Sequence, residues 1–150
     1  MINECKEKKM PIREHPDQGT IIICDFGDGF KNPEMDKKRP VIVLSPKIKN
    51  RHHLCSVIPL STTRPVPVMP YHTQLDIRPL LPKWYNSDNL WIKGDMVNAV
   101  GFHRLDFIRC GKDRSGKRTY YYNTISDDQM KIVRKCVLHG MGLSMLTKHL

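Results

Sequence analysis

The chain has 150 residues, which is the length of one domain, and its 25 lysines and arginines exceed its 15 aspartates and glutamates. The resulting net charge of +10 disfavours an acidic binding protein and indicates an anionic partner. Its apolar runs are far shorter than the ~20 residues of a membrane helix, and the basic start is followed by no apolar stretch of signal-peptide type. We therefore expect a cytoplasmic protein with no membrane segment.

The first 18 residues are polar and show no periodicity, so we interpret residues 1–18 as a flexible N-terminal extension and residues 19–150 as the folded domain. Residues 1–75 carry a net charge of +4 and residues 76–150 carry +6, so the charge is spread through the chain. Such a surface either keeps the protein soluble or binds an anion in a basic groove, and charge alone does not decide between these two.

Three β-branched, apolar runs predict the first strands, at residues 20–26, 40–45 and 54–62. The second run begins with Pro40, a position at which the missing N–H is tolerated. A charged, glycine-containing loop separates the first two strands. Because the central runs are almost wholly apolar, we expect a sheet that is covered on both faces or curls into a small barrel.

The middle of the chain predicts short strands between loops. Residues 63–82 contain five prolines and cannot form a helix, although residues 71–77 fit a short edge strand. Residues 90–97 predict another strand, in which Gly94 favours a bulge. Residues 101–110 are ambiguous in pattern and fit a 3₁₀ turn followed by a strand.

The last part of the chain changes its period. Residues 111–117 form a basic, turn-rich segment before three tyrosines, which indicates a hairpin. Ser126 is a good N-cap for a helix that ends near Gly140 and Gly142. Its apolar residues recur every three or four positions, at Met130, Val133, Val137 and Met141. The predicted fold class is therefore mainly β, a small barrel with one C-terminal helix.

A screen for reaction chemistry finds no glycine-rich phosphate loop, no H-E-x-x-H zinc motif and no G-x-S-x-G nucleophile motif. His52, His53 and Cys55 are potential metal ligands, but no second pair follows at a suitable separation. We therefore predict no metal and no cofactor. The five cysteines form no C-x-x-C pair, which is typical of reduced, mostly buried thiols in a cytoplasmic protein.

Polar residues mark the ends of the apolar strands. Arg39 opens the second strand, and Ser61 and Thr62 close the third. Lys93 and Asp95 lie two apart in one predicted strand, so their side chains should share a face. Each residue alone is explained by the polarity of exposed strand ends, whereas their combination favours a functional site.

The start of the domain resembles the MazF/PemK toxin family. The resemblance rests on residues 19–26 (GTIIICDF), on a following charged loop that contains Glu34, and on residues 38–45 (KRPVIVLS). It continues at residues 57–62 (VIPLST), which match the strand that ends in two hydroxyl residues in that family.

Later segments extend the resemblance over residues 19–148. Residues 91–95 (WIKGD) are similar to the PemK/Kid segment in which an arginine and an aspartate lie two apart. Arg104, Leu105 and the final helix fall where the family has an Arg-Leu pair and its C-terminal helix.

The resemblance implies an SH3-like small barrel of the MazF/PemK/CcdB type that forms a homodimer. It also implies a metal-independent endoribonuclease toxin, which cuts single-stranded RNA and leaves a 2′,3′-cyclic phosphate and a 5′-hydroxyl. The implied protein partner is an antitoxin whose acidic segment blocks the RNA groove. The spread of positive charge and the lack of a cofactor motif agree with these expectations.

The resemblance also assigns roles to particular residues. Arg39 is the expected phosphate clamp and a candidate proton donor, because its planar fork matches phosphate oxygens. Ser61 is expected to hydrogen-bond the scissile phosphate, and Asp95 is the candidate base. The expected RNA-binding residues are Glu34, Lys38, Thr62, Lys93 and Tyr71.

Departures from the family pattern leave other functions open. The loop reads NPEM at residues 32–35 and lacks the histidine of some members, Ser61 replaces a threonine, and Lys93 replaces an arginine. One alternative is a catalytically weak relative that binds RNA or a protein. Another is a toxin directed at gyrase, as in the related CcdB fold. The aromatic residues of the long loop either stack on bases or pack beneath that loop; they are Tyr71, Trp84 and Tyr85.

Overall fold

The computed structural model describes residues 12–82, 85 and 90–150. In this part of the chain, strands are followed by a C-terminal helix. The strands are β1 (Ile21–Asp25), β2 (Lys38–Val43), β3 (Leu54–Ser61), β4 (His72–Leu75), β5 (Leu90–Lys93), β6 (Asn98–Gly101), β7 (Leu105–Asp106), β8 (Ile108–Lys112) and β9 (Arg118–Tyr121). The α-helix is α1 (Asp127–Gly140), and short 3₁₀ helices lie at Phe102–Arg104 and Ser144–His149.

Seven strands form one antiparallel sheet in the order β4-β5-β3-β2-β1-β7, with β6 paired to β3. The long strand β3 pairs with β6 at Leu54–Val57 and with β5 at Leu60 and Ser61. Strands β8 and β9 form a separate two-stranded sheet. The prediction of a mainly β domain with a C-terminal helix is confirmed, although the ladders between the described residues do not close into a complete barrel.

The central strands bury residues on both faces, as expected from their apolar sequence. In β1, Ile21 and Ile23 belong to one hydrophobic cluster, whereas Ile22 and Cys24 belong to a second cluster on the other face. Helix α1 covers the first face with three buried side chains, those of Met130, Val133 and Cys136. Burial on both faces fixes the register, because a slip by one residue would exchange the two clusters.

Proline determines where the ladder between β2 and β3 ends. The last recorded pair is Val41–Pro59, and Pro40 precedes it in β2. A proline cannot donate a ladder hydrogen bond, which favours the end of pairing at this point. The prediction that the second strand begins at Pro40 is wrong, because the ladder with β1 extends to the pair Asp25–Lys38 and places Pro40 inside the strand.

The predicted strand over residues 90–97 is also wrong in its extent. Strand β5 ends at Lys93, and the Met96 N–H donates to the Lys93 carbonyl at 3.0 Å to close a turn. A Cβ on Gly94 would overlap the carbonyl oxygen of Cys136 in α1. The helix therefore packs against the backbone of this turn, and Asp95 lies in the turn and not in a strand.

Helix α1 begins as the sequence predicts. The Ser126 side chain accepts from the Gln129 N–H, and the Gln129 side chain accepts from the Ser126 N–H, which is a complete capping box. Met141 does not face the core as predicted, because the helix ends at Gly140 and Met141 is 64% exposed. Cys136 is buried in the helical face instead.

The described part of the predicted N-terminal extension contacts the domain. Ile12 is buried in the second cluster, the His15 ring hydrogen-bonds the Ser45 hydroxyl at 3.1 Å, and the Gln18 amide donates to the Leu44 carbonyl at 2.8 Å. These contacts attach residues 12–18 to the sheet. The division of the chain into an extension and a domain at residue 18 stays a prediction.

The cysteines that the structure describes are free thiols: Cys24, Cys55 and Cys136 are buried, and Cys110 is exposed. Cys5 lies outside the described residues. Among the helices of the described residues, we find none with the length and apolarity needed to cross a membrane.

Candidate functional site

Arg39 lies in β2 opposite Cys24 of β1 and is half-buried. Its Nε is buried and has no hydrogen-bond partner among the described residues. An unsatisfied buried donor costs about 1–3 kcal/mol. The sheet therefore holds, at its edge, a guanidinium group with donor capacity that the described fold does not use.

Ser61 lies at the same end of the sheet as Arg39. If the β2–β3 register were continued by two residues beyond Val41–Pro59, Ser61 would stand opposite Arg39. Ser61 is only 3% exposed, and its Oγ accepts from the Thr63 N–H at 3.2 Å. Thr62 is exposed beside it. The structure thus brings the predicted cation and the predicted hydroxyl residues to one edge.

Glu34 and Lys38 occupy the loop and the strand end that lead to Arg39. The Glu34 Oε2 accepts from the Lys31 N–H at 2.9 Å, and the Glu34 N–H donates to the Lys31 carbonyl at 2.7 Å. The Glu34 side chain is therefore engaged in the turn of its own loop. Lys38 is exposed and pairs in the ladder with Asp25.

Arg104 supports the same loop from a distant part of the sequence. Its Nη1 donates to the Asp25 carbonyl at 3.1 Å, and its guanidinium carbon lies 4.8 Å from the centre of the Phe30 ring. The sequence showed Arg104 only as part of a family motif and did not assign it this contact. Its contacts attach the loop between β1 and β2 to the sheet.

Cys24, the ladder partner of Arg39, adds no negative charge to this edge. Burial raises the pKa of the Cys24 thiol to about 12, and the nearby Arg104 charge offsets only part of that rise. The thiol is therefore protonated at neutral pH.

A second group of polar residues surrounds the start of β4. Lys93 pairs with His72, and the Tyr71 and His72 rings lie 4.5 Å apart. The Met69 N–H donates to the His72 Nδ1 at 3.0 Å, so neutral His72 carries its proton on Nε2. Burial lowers the pKa of His72, and Lys93 lowers it further, against the opposing charge of Asp95. His72 is thus a neutral donor that no sequence pattern marked.

The group around Arg39 and the group around His72 lie on the same sheet, but their residues are not paired with each other. Ser61 stands opposite Trp91 of β5, and Lys93 lies two residues farther along that strand, with Asp95 in the following turn. Strand β3 separates β5 from β2. Continuation of the β2–β3 register sets Arg39 opposite Ser61, whereas the ladders do not place Lys93 or Asp95 opposite either of them.

Of the loop aromatic residues, Trp84 lies outside the described residues. Tyr85 lines a cavity of about 380 Å³ together with Lys38 and Arg109. Among the described residues, no group of three or more histidines, cysteines or acids is placed to hold a metal ion.

The chain shares its antiparallel sheet and C-terminal helix with solved structures. The structure aligns with an endoribonuclease bound to its cognate antitoxin from a mycobacterial species at a TM-score of 0.58 and 18% identity, covering 86% of this chain and 97% of that chain. It aligns equally with MazF from Deinococcus radiodurans, with a TM-score of 0.58, 18% identity and coverage of 86% and 98%. At this identity the likeness shows the fold.

The family follows from the sequence itself. Residues 17–139 match the model of the PemK-like, MazF-like toxin of type II toxin–antitoxin systems, and the chain belongs to this family. An uncharacterized protein of Haemophilus influenzae is 30% identical over 149 residues, with coverage of 91% of this chain and 98% of that protein. The Escherichia coli protein YifN is 31% identical over 118 residues, with coverage of 67% and 78%. The resemblance stated from the motifs is therefore confirmed.

Proposed function

We propose that the protein is a toxin endoribonuclease that cleaves single-stranded RNA at selected sequences without a metal ion, leaving a 2′,3′-cyclic phosphate and a 5′-hydroxyl. The observation that carries this proposal is the buried, unpartnered Nε of Arg39 at the edge that also holds Ser61. Membership of the MazF-like toxin family supports the choice of RNA as the substrate.

The reaction has three chemical requirements. A base must remove the proton of the 2′-hydroxyl, a cation must stabilise the charge on the pentacoordinate phosphate, and an acid must protonate the leaving 5′-oxygen. In our assignment Arg39 binds two phosphate oxygens through its planar fork and is the candidate proton donor. Ser61 and Thr62 offer hydroxyl groups to the same phosphate.

The base is assigned to the second polar group. Asp95 is exposed and supplies a carboxylate, while Lys93 and the neutral His72 beside it offer donors to an adjacent phosphate. Glu34, Lys38 and Tyr71 are assigned to RNA binding. These three residues lie on the loop before β2, at the start of β2 and just before β4.

The proposed partners follow the same family. A homodimer extends the groove across two copies, and an antitoxin with an acidic segment blocks it by pairing with the basic surface. One similar structure is described as an endoribonuclease in complex with its cognate antitoxin, which supports a protein inhibitor for this chain. RNA cleavage and antitoxin binding would both occur in the cytoplasm.

The test is cleavage of a long single-stranded RNA in the presence of EDTA. Arg39→Ala should lower the cleavage rate by about 10²–10³, the usual effect of losing one group that stabilises transition-state charge. The matched control is Arg51→Ala, which removes an exposed arginine from the loop between β2 and β3. Normal cleavage by folded Arg39→Ala protein would refute the assignment, and loss of all cleavage in EDTA would refute metal independence.

A second candidate function is RNA binding without efficient cleavage. The observation that favours it is the register, which does not set Lys93 or Asp95 opposite Arg39 or Ser61. This second function predicts that the wild-type protein binds RNA in a salt-dependent way and yields no 2′,3′-cyclic phosphate product. Analysis of the RNA ends after incubation distinguishes the two functions.

A further inference from the structure

The β8–β9 hairpin presents one face that is both aromatic and cationic. In its ladder Arg109 stands opposite Tyr120, and Lys112 stands opposite Arg118. Residues opposite each other or two apart on a strand share a face, so Phe107 and Tyr122 join them. We call these six residues the hairpin face: Phe107, Arg109, Lys112, Arg118, Tyr120 and Tyr122.

The rings of the hairpin face contact one another, and Phe107 also packs against the second hydrophobic cluster. Phe107 lies 5.2 Å from Tyr122 and 6.4 Å from Tyr120, and the two tyrosine rings lie 6.2 Å apart. Tyr122 is 63% exposed. The inward positions of the hairpin, Ile108 and Tyr121, are buried and account for its attachment to the domain. The Tyr122 ring is therefore not needed to fill the core.

The hairpin carries many more positive than negative side chains. Residues 107–122 contain five lysines and arginines and a single acid, Asp113. The Asp113 carboxylate accepts from the Ser115 hydroxyl at 2.6 Å and from the Ser115 and Lys117 N–H groups at 2.9 Å each. These bonds lower its pKa, with the Ser115 side chain as the largest cause. The Asp113 carboxylate is thus occupied by hydrogen bonds within the turn. None of the five cations forms an ion pair with a described residue.

The hairpin face borders a cavity that extends to the start of β2. The cavity of about 380 Å³ is lined by the cations Lys38 and Arg109, by Phe107 and by one acid, Asp106 of β7. Lys38 directly precedes Arg39 in the chain. Since neighbouring residues of a strand point to opposite faces, Lys38 lies on the cavity side of β2 and Arg39 on the other side. An RNA that is bound at Arg39 therefore reaches the hairpin face by passing around the end of β2.

We propose that the hairpin face binds single-stranded RNA beyond the scissile phosphate, with bases stacked on the tyrosine rings and phosphates bound by Arg109 and Arg118. Exposed rings beside cations suit RNA, because every base offers a stacking face while its backbone needs positive charge. An acidic protein segment would pair with the cations but would not require the exposed rings. The location beyond the scissile phosphate rests on the proposed function, whereas the binding of RNA to this face does not.

The test measures binding of the full-length protein to a fluorescent oligouridylate of about 15 nucleotides, within the usual range of single-strand binding sites. The double variant Arg109→Gln/Arg118→Gln should raise Kd at least ~10-fold and reduce the slope of log K against log salt by about 1.4. The control is Lys131→Gln/Lys135→Gln, which removes the same charge from exposed positions on α1 and should leave Kd within about twofold of wild type.

Base stacking is tested separately with variants of Tyr122, whose exposed ring is not part of the core. Tyr122→Ser should raise Kd about 5- to 100-fold, and Tyr122→Phe should bind as the wild type because it keeps the ring. Thermal unfolding of each variant confirms that the hairpin substitutions leave the fold intact.

The outcomes separate this inference from the proposed activity. Hairpin-dependent binding in a protein that cleaves no RNA supports the binding face and refutes the nuclease. Unchanged oligouridylate binding in the hairpin variants refutes the binding face, even if RNA is cleaved. If those variants instead lose binding only to a polyglutamate peptide, the face is a protein-docking surface and the RNA proposal is overturned.

Discussion

The guanidinium carbon of Arg104 lies 4.8 Å from the centre of the Phe30 ring, and its Nη1 donates to the carbonyl of Asp25. Arg104 follows β6, whereas Phe30 belongs to the loop that leads to Arg39. One side chain thus joins the end of β1 to the middle of this loop, which also carries Glu34. We conclude that Arg104 positions the loop.

Replacing Arg104 should therefore loosen the loop. Arg104→Ala removes one hydrogen bond and one cation–π contact, so we expect a loss of about 1–2 kcal/mol in the free energy of unfolding. RNA cleavage should fall mainly through a higher KM. Urea unfolding and steady-state kinetics measure both effects. Arg104→Lys should recover part of the stability, and an unchanged KM in Arg104→Ala would contradict the positioning role.

Arg39 should show the opposite effect on stability. Because its buried Nε has no hydrogen-bond partner, Arg39→Met removes an unsatisfied donor while it keeps an apolar stem. We expect the free energy of unfolding to rise by about 1 kcal/mol while cleavage is lost. Urea unfolding of both proteins checks this. A large destabilisation would mean that Arg39 is structural.

Two glycines should be required for different physical reasons. A Cβ on Gly94 would overlap the Cys136 carbonyl, whereas Gly116 has a φ of +83° and open space around it. We expect Gly94→Ala to cost more than about 2 kcal/mol through displacement of α1, and Gly116→Ala to cost about 1 kcal/mol through backbone strain. Asparagine should be tolerated at 116 but not at 94. Equal costs at both sites would contradict the close packing of α1.

The thiols should differ sharply in reactivity. At pH 8.5, iodoacetamide should label Cys110, which is exposed, and leave Cys24 unlabelled in the native protein. The Cys24 pKa of about 12 exceeds its ordinary 9.0 because of burial, so the folded state retains a proton that the unfolded state releases. This contribution to stability is present below pH 9 and is lost between pH 9 and 12. Peptide mapping by mass spectrometry, with a urea-unfolded control, measures the labelling, and rapid native labelling of Cys24 would contradict its burial.

The sequence predicted the elements whose causes are local. The β-branched runs at β1, β2 and β3 and the Ser126 cap of α1 needed no knowledge of distant contacts. The extent of β5 could not be predicted, because it depends on the approach of Gly94 to Cys136, which is 42 positions away in the chain. The strand position of Pro40 was missed for a similar reason, since its ladder partner Ile23 decides it.

The candidate site was predictable only in part. Arg39 and Ser61 could be singled out because each lies at the end of an apolar strand that the sequence predicts. Arg104 and His72 act through contacts with Phe30 and with Lys93, and such contacts depend on how loops and edge strands pack. A single histidine in a proline-rich segment carries no pattern that distinguishes it from a surface residue.

The separation of β8–β9 from the seven-stranded sheet has a consequence for divergence within the family. Since this hairpin shares no ladder with β1 or β2, residues can be inserted or deleted in its turn at 113–117 without shifting the register that sets Arg39 beside Ser61. The length and charge of this arm can therefore change through evolution while the reacting edge keeps its geometry. If the hairpin face binds RNA as proposed, relatives that share the sheet can in this way differ in the RNA segments that they bind.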